Sequence, residues 1–170
     1  MTAVLNRPAD NDLASAFATH EVMNQAGALE NYNAFAEDKP LAQAIRVFDA
    51  EWSADHLAHV GALVGSEKVQ TLARQANRHL PELRTHDRFG HRIDIVYFHP
   101  AYHELMALIF GSGAHSFAWT HARPGAHVAR AALSYLWNQG ENGICCPMGM
   151  TFASIAALQS MPAHQIGKVS

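Results

Sequence analysis

Twelve histidines in 170 residues are the first feature that could do chemistry, because an imidazole with pKa ~6.5 can ligate metals and move protons near neutrality. His56-x-x-His59 could present two nitrogens from one helix face, but no third ligand follows at a matching spacing. Solvated helix-face histidines are the favoured reading. His99-Pro-Ala-Tyr-His103-Glu104 looks like an i, i+4 pair beside a carboxylate. Pro100 pushes the preceding His99 out of the α region, so the two rings need not share a face. The H-E-x-x-H arrangement has both histidines and the glutamate in one helix, which is not the case here. A capping or packing role at a helix start is favoured over metal ligation, and no metal site is expected.

Nucleophiles and phosphate loops are equally sparse. No G-x-S-x-G string occurs, and a nucleophile elbow needs that strand-turn-helix context. Cys145 and Cys146 are adjacent. Either could be activated at the start of the following helix, where the positive dipole end lowers a thiol pKa, but a small buried hydrophobe is the favoured reading. Gly111-Ser112-Gly113 lacks the third glycine and the Lys-Thr of a phosphate cradle. Arg74, Arg78, Arg84, Arg88 and Arg92, with His79, His86 and His91, form the most basic stretch, against only Glu82 and Asp87. No DNA-reading motif accompanies it, so a solvated surface or a domain interface is favoured. The residues alone assign no catalytic, cofactor-binding or metal-binding side chain.

The elements that would carry these groups are helices. Leu41, Ala44, Ile45, Phe48 and Trp52 make an apolar stripe at helical spacing, with Pro40 in the first turn, where its missing N–H costs nothing. Ser53 is expected to cap a second helix with Leu57, Val60 and Val64 inward and Gly65 at its end. Ser66 should cap a third, in which Val69, Leu72, Ala73, Ala76 and Leu80 repeat the spacing until Pro81. Arg92 to Phe98 is rich in β-branched and aromatic residues, but with no obvious partner it is expected to be an extended connector. Pro100 restarts a helix with Tyr102, Leu105, Met106, Ile109 and Phe110 on one face. Pro124 opens another with Val128, Ala132, Tyr135 and Leu136 aligned, and Met148, Phe152, Ile155 and Ala156 mark a last one. Six helices and little strand predict an all-α, bundle-like domain over 38–162. A partly extended arm (1–37) should precede it and a tail (163–170) follow.

Composition supports that reading. Hydrophobic residues make up 49% and charged ones only 16%, which excludes disorder for most of the chain. With 11 Gly, 7 Pro and 2 Cys, collagen-like and disulfide-scaffold classes fail as well. Net charge is −3 with neutral histidines, so the chain as a whole has no general attraction to phosphate backbones or anionic membranes. No apolar run approaches the ~20 residues of a membrane span, and the first residues lack a secretion-signal pattern. A reducing, cytoplasmic setting is expected.

Several strings, taken in order, resemble the N-terminal helical domain of the acyl-CoA dehydrogenase superfamily, in its alkylation-response (adaptive-response, AidB-like) branch. They are Thr19–Gln25, Leu29–Asn33, Pro81–Asp87, Arg92–Asp94, Phe98–His103, Pro124–Ala132 and Cys146–Ala153. The resemblance implies a flavoprotein of N-terminal helices, a middle β-domain and a C-terminal bundle, using FAD to accept a hydride from an acyl chain. It also implies a homo-oligomer, and DNA binding through a C-terminal basic surface. The flavin-binding segment, catalytic carboxylate and basic C-terminal surface of the family are absent from the 170 residues. The chain is therefore expected to be a helical portion that meets the remaining flavoprotein domains, or a second chain carrying them, and to be inactive alone. The Cys146–Ala153 string implies an acyl-pocket wall of Met148, Met150, Thr151 and Phe152. A stand-alone helical interaction module or a DNA-binding accessory protein is the alternative.

Overall fold

The computed structural model describes residues 19–20 and 23–162; the tail and the first part of the arm lie outside them. Asp38 opens helix α1 (Lys39–Val47) by accepting the amide of Leu41 at 2.9 Å, with Pro40 in the first turn as expected. The stripe read from the sequence does not run on to Trp52. Asp49 takes a left-handed φ of 57° and the Ala50 amide donates back to the Ile45 carbonyl at 2.7 Å, which ends the helix. Phe48 is thereby turned out to 60% exposure, and Trp52 falls in a 3-10 turn, Glu51–Ser53.

Helix α2 (Ala54–Val64) buries Leu57, Val60 and Val64 as its spacing predicts. Ser53 does not cap it, because its hydroxyl donates to the Ala50 carbonyl at 2.7 Å instead. Ser66 does cap α3 (Glu67–Arg78), accepting from the Val69 amide. Leu80 lies beyond the end of α3, past an extended His79, and is 79% exposed rather than part of the inward stripe.

The expected connector is a strand. Its partner is Glu82-Leu83-Arg84-Thr85-His86, whose polar composition hides a β1 (Glu82–His86) that pairs antiparallel with β2 (Arg92–Tyr97). Glu82 faces Tyr97, Leu83 faces Val96 and Arg84 faces Ile95, with an irregularity before His86 faces Arg92. Asp87 closes the turn by accepting from the Phe89 and His91 amides, and Gly90 supplies φ +88°. The hairpin stands off the helices with both faces largely exposed.

Helix α4 (Pro100–Gly111) starts from His99, whose Nδ1 accepts the Ala101 amide at 3.2 Å. That is the capping role expected of this residue. A four-residue helix, α5 (Phe117–Thr120), was not visible as a period. Helix α6 (Ala126–Gly140) is the centre of the domain and buries Ala126, Ala129, Ala132, Leu133, Leu136 and Trp137. Tyr135, expected inward, is 51% exposed. The neighbouring Asp38 carboxylate pushes its phenol pKa upward. Helix α7 (Cys145–Gln159) closes the described chain. The domain is therefore mostly helical, with α2 and α5 against α6 and α3 against α4.

The end of the arm is docked on this bundle. Ala34 and Phe35 are buried, and the Ala34 amide donates to the Gly61 carbonyl at 3.0 Å. Asn33 ties the segment down by donating to the Ala58 carbonyl at 2.9 Å. Gly61 and Gly65 permit this approach, since a Cβ on Gly61 would lie 2.6 Å from the Phe35 amide nitrogen and one on Gly65 would strike the Tyr32 carbonyl.

Candidate functional site

The lead into α7 is built on one carboxylate. Glu141 is 9% exposed and accepts from the Gly143 amide at 2.9 Å and the Ile144 amide at 2.8 Å. The amide side chain of Asn77 donates to it at 3.2 Å. A buried carboxylate with three donors satisfies backbone groups that the helix cannot pair itself. Beyond it, the sequence of α7 is CCPMGMTFASIAALQ, with no charged residue in fifteen, yet Met148 alone is buried.

The four candidate wall residues take different positions. Met148 is fully buried in the main core. Thr151 is half-buried and donates to the Pro147 carbonyl at 3.0 Å. Met150 is 68% exposed. Phe152 joins a cluster that the sequence did not reveal: its ring stacks on Trp119 with centroids 5.4 Å apart and meets the edge of His127. The Arg130 guanidinium lies 4.0 Å above Phe152 and donates to the Ala114 carbonyl and to the Met148 sulfur. Such a cation over an aromatic face is worth roughly 0.5–2 kcal/mol, more as it is desolvated. Burial holds the Arg130 pKa below its ordinary value. Among the described residues it forms no ion pair, and Trp119 Nε1 and His115 Nδ1 are buried with no hydrogen-bond partner. Trp119 and Arg130 lie in different helices and carry no shared motif, so only the fold brings them together.

Cys145 is not activated by its place at the head of α7. Cys145 is half-buried, and burial, then the charge of Glu141, push its thiol up to about 11. At pH 8 roughly one such thiol in a thousand is a thiolate, against about one in four at the ordinary pKa of ~8.5. Alkylation with iodoacetamide at pH 8 should therefore modify Cys146 first, and Cys146→Ser should remove the fast phase. Mass spectrometry of the peptides reads this directly; equal rates at the two thiols would contradict it.

Among the described residues no three His, Cys, Asp or Glu side chains gather as ligands. His56 is half-buried with Nε2 at 2.9 Å from the Ser112 carbonyl, whereas His59 is exposed. His99 stacks on His79 at 4.6 Å, and His103 stands edge-on to Phe98. Three arginines of the basic stretch hold acids: Arg74 with Glu30, Arg84 with Glu82 and Arg92 with Asp94. Arg88 lies over Phe89.

The glycine pair Gly111 and Gly113 flanks a turn whose polar groups face inward. The Ser112 hydroxyl donates to the Ile109 carbonyl and accepts from Trp137 Nε1, and the Gly113 amide donates to the Phe110 carbonyl. These groups are spent within the domain, so the turn does not fit a dinucleotide phosphate, and no step through flavin is assigned to this chain.

Arm, bundle, hairpin and apolar last helix define the N-terminal helical domain of the acyl-CoA dehydrogenase fold. Two solved structures superpose on it: Caenorhabditis elegans ACDH-11 in complex with C11-CoA, with TM-score 0.72 at 22% identity, and Bd2924 in its apo form, with TM-score 0.75 at 24% identity. They match 86% and 85% of this chain but only 26% and 30% of their own. The chain belongs to the family of the adaptive response protein AidB N-terminal domain, whose model matches residues 24–168. AidB of Escherichia coli (strain K12) is 43% identical over 147 residues, which is 85% of this chain and 27% of that protein. The chain thus spans about a quarter of the length of these relatives. No helix among the described residues is long and apolar enough to cross a membrane.

Proposed function

We propose that this chain is the helical portion of an acyl-CoA dehydrogenase-like, FAD-dependent alkylation-response protein of the cytoplasm. It would wall the acyl pocket and make oligomer contacts, while flavin and catalytic groups come from other domains or another chain. The carrying observation is α7: fifteen residues without a charge and only Met148 buried. A helix apolar all round belongs in an interior, and contiguous exposed apolar surface marks an interaction site. Met150, Thr151 and Phe152 would then form the wall facing the acyl chain, with Met148 as the anchor that fixes their height. A dry wall of this kind positions a substrate rather than reacting with it.

The similarity to a protein solved with C11-CoA supports an acyl chain as the occupant. Purified alone, the 170-residue chain should be colourless and should not oxidise acyl-CoA substrates. Absorption spectroscopy after incubation with FAD and desalting tests this: no band near 450 nm is expected, and stoichiometric flavin retained by the chain would overturn the division of labour.

A further inference from the structure

A cleft of about 370 Å3 lies between the 3-10 turn that carries Trp52 and the loop that leads into α6. That volume falls in the range of small-molecule sites. Its wall is a cluster of near-parallel rings. Phe117 stacks with His56 (4.9 Å, 10° between planes) and with His121 (4.2 Å, 23°), and Trp52 is parallel to Phe117 at 5.8 Å. Trp52 is locked in plane by its Nε1, which donates to the Pro124 carbonyl at 3.0 Å. The Arg123 guanidinium then lies flat over Trp52, 3.5 Å from the ring centroid.

Arg123 is the charged side chain of the cleft; the imidazoles of His121 and His56 line it too, and no aspartate or glutamate does. Arg123 is in none of the ion pairs among the described residues. His121 uses Nδ1 towards the Phe117 carbonyl and Thr120 hydroxyl, so Nε2 has no partner there. A guanidinium stacked on an indole has its plane fixed while its N–H edge stays available, the preorganised fork that recognises carboxylate or phosphate. Its outer face can take a second planar group.

We propose that this cleft binds a small aromatic oxyanion, a planar ring bearing a phosphate or a carboxylate. The anion meets the Arg123 fork and His121, and the ring lies along the Trp52–Arg123 stack. Nothing in this assignment depends on the acyl-pocket reading of α7, which lies elsewhere in the domain.

The test is an NMR titration of the 15N-labelled 170-residue chain with phenyl phosphate and with benzoate, following the Trp52 indole N–H, with inorganic phosphate and benzyl alcohol as controls. One of the two aromatic anions, or both, should shift that signal saturably, and the two arms show whether phosphate or carboxylate is preferred. Both controls should bind at least tenfold more weakly. Arg123→Gln should weaken binding at least tenfold. Arg123→Lys, which keeps the charge and loses the fork, should do so partly, and Arg88→Gln should not. Circular dichroism confirms that each variant is folded. No saturable shift with either anion, equal binding of benzyl alcohol or inorganic phosphate, or full binding by folded Arg123→Gln would overturn the proposal.

Discussion

Replacing Trp137 with alanine should cost about 3–5 kcal/mol, the usual cost of emptying a large aromatic site in a core. Trp137 has no exposed surface and sits in the main core between Leu133, Leu136 and residues of the facing helices. It also joins α6 to the end of α4, because its Nε1 donates to the Ser112 hydroxyl at 2.9 Å in the interior. Against a total stability of roughly 5–15 kcal/mol, such a loss leaves a marginal fold. The melting temperature should fall on the order of 10 °C or more for a chain of this length. Trp137→Phe keeps most of the volume, but it drops the hydrogen bond and leaves a small void beside the ring. Since Ser112 still donates to the Ile109 carbonyl, this variant should lose less than the alanine, about 2–3 kcal/mol. Urea unfolding of both variants checks the claim; a Trp137→Ala variant within 1 kcal/mol of wild type would place the core elsewhere.

Gly125→Ala should be nearly as damaging although it adds one carbon. Gly125 precedes α6 at φ +76°, and a Cβ there would run into the Asp49 carbonyl and come 2.7 Å from the Ala50 nitrogen. The left-handed conformation costs a non-glycine residue roughly 1–3 kcal/mol, and forcing backbone apart in a packed region adds typically 1–3 more. Gly90 provides the control, because it has φ +88° in the hairpin turn but nothing within 4 Å of its would-be Cβ. Gly90→Ala carries the conformational cost alone. The difference between the two variants in urea unfolding therefore isolates the contact between α6 and the Asp49–Ala50 bend, and equal losses would show that no such contact exists.

What could be read from the sequence followed from local rules. Val69, Leu72 and Ala73 on α3, with Ser66 as cap, needed only a 3.6-residue period and a hydroxyl at the right place. His99 is predictable as a cap because Pro100 dictates the backbone of the residue before it. Elements fixed by a neighbour distant in sequence could not be read this way. β2 looked partnerless because β1 is Glu-Leu-Arg-Thr-His, which carries no apolar alternation on a hairpin exposed on both faces. The α1 stripe misled because a left-handed Asp49 breaks the chain between Ile45 and Trp52. The aromatic clusters around Phe117 and Phe152 draw on several elements each, so no spacing in the chain announces them. The family, by contrast, is legible in ordered strings such as Phe98–His103 and Cys146–Ala153.

In the function proposed above, α7 presents an apolar face that other protein covers. Size-exclusion chromatography with light scattering on the 170-residue chain, alongside Met150→Glu/Ile155→Glu, tests it most directly. Both substituted residues are outside the buried core, so the variant should fold with the same circular dichroism. The account predicts that the natural chain associates in a concentration-dependent way and that the double variant runs as a monomer. A natural chain that stays a stable monomer at high concentration, identical to the double variant, would contradict it.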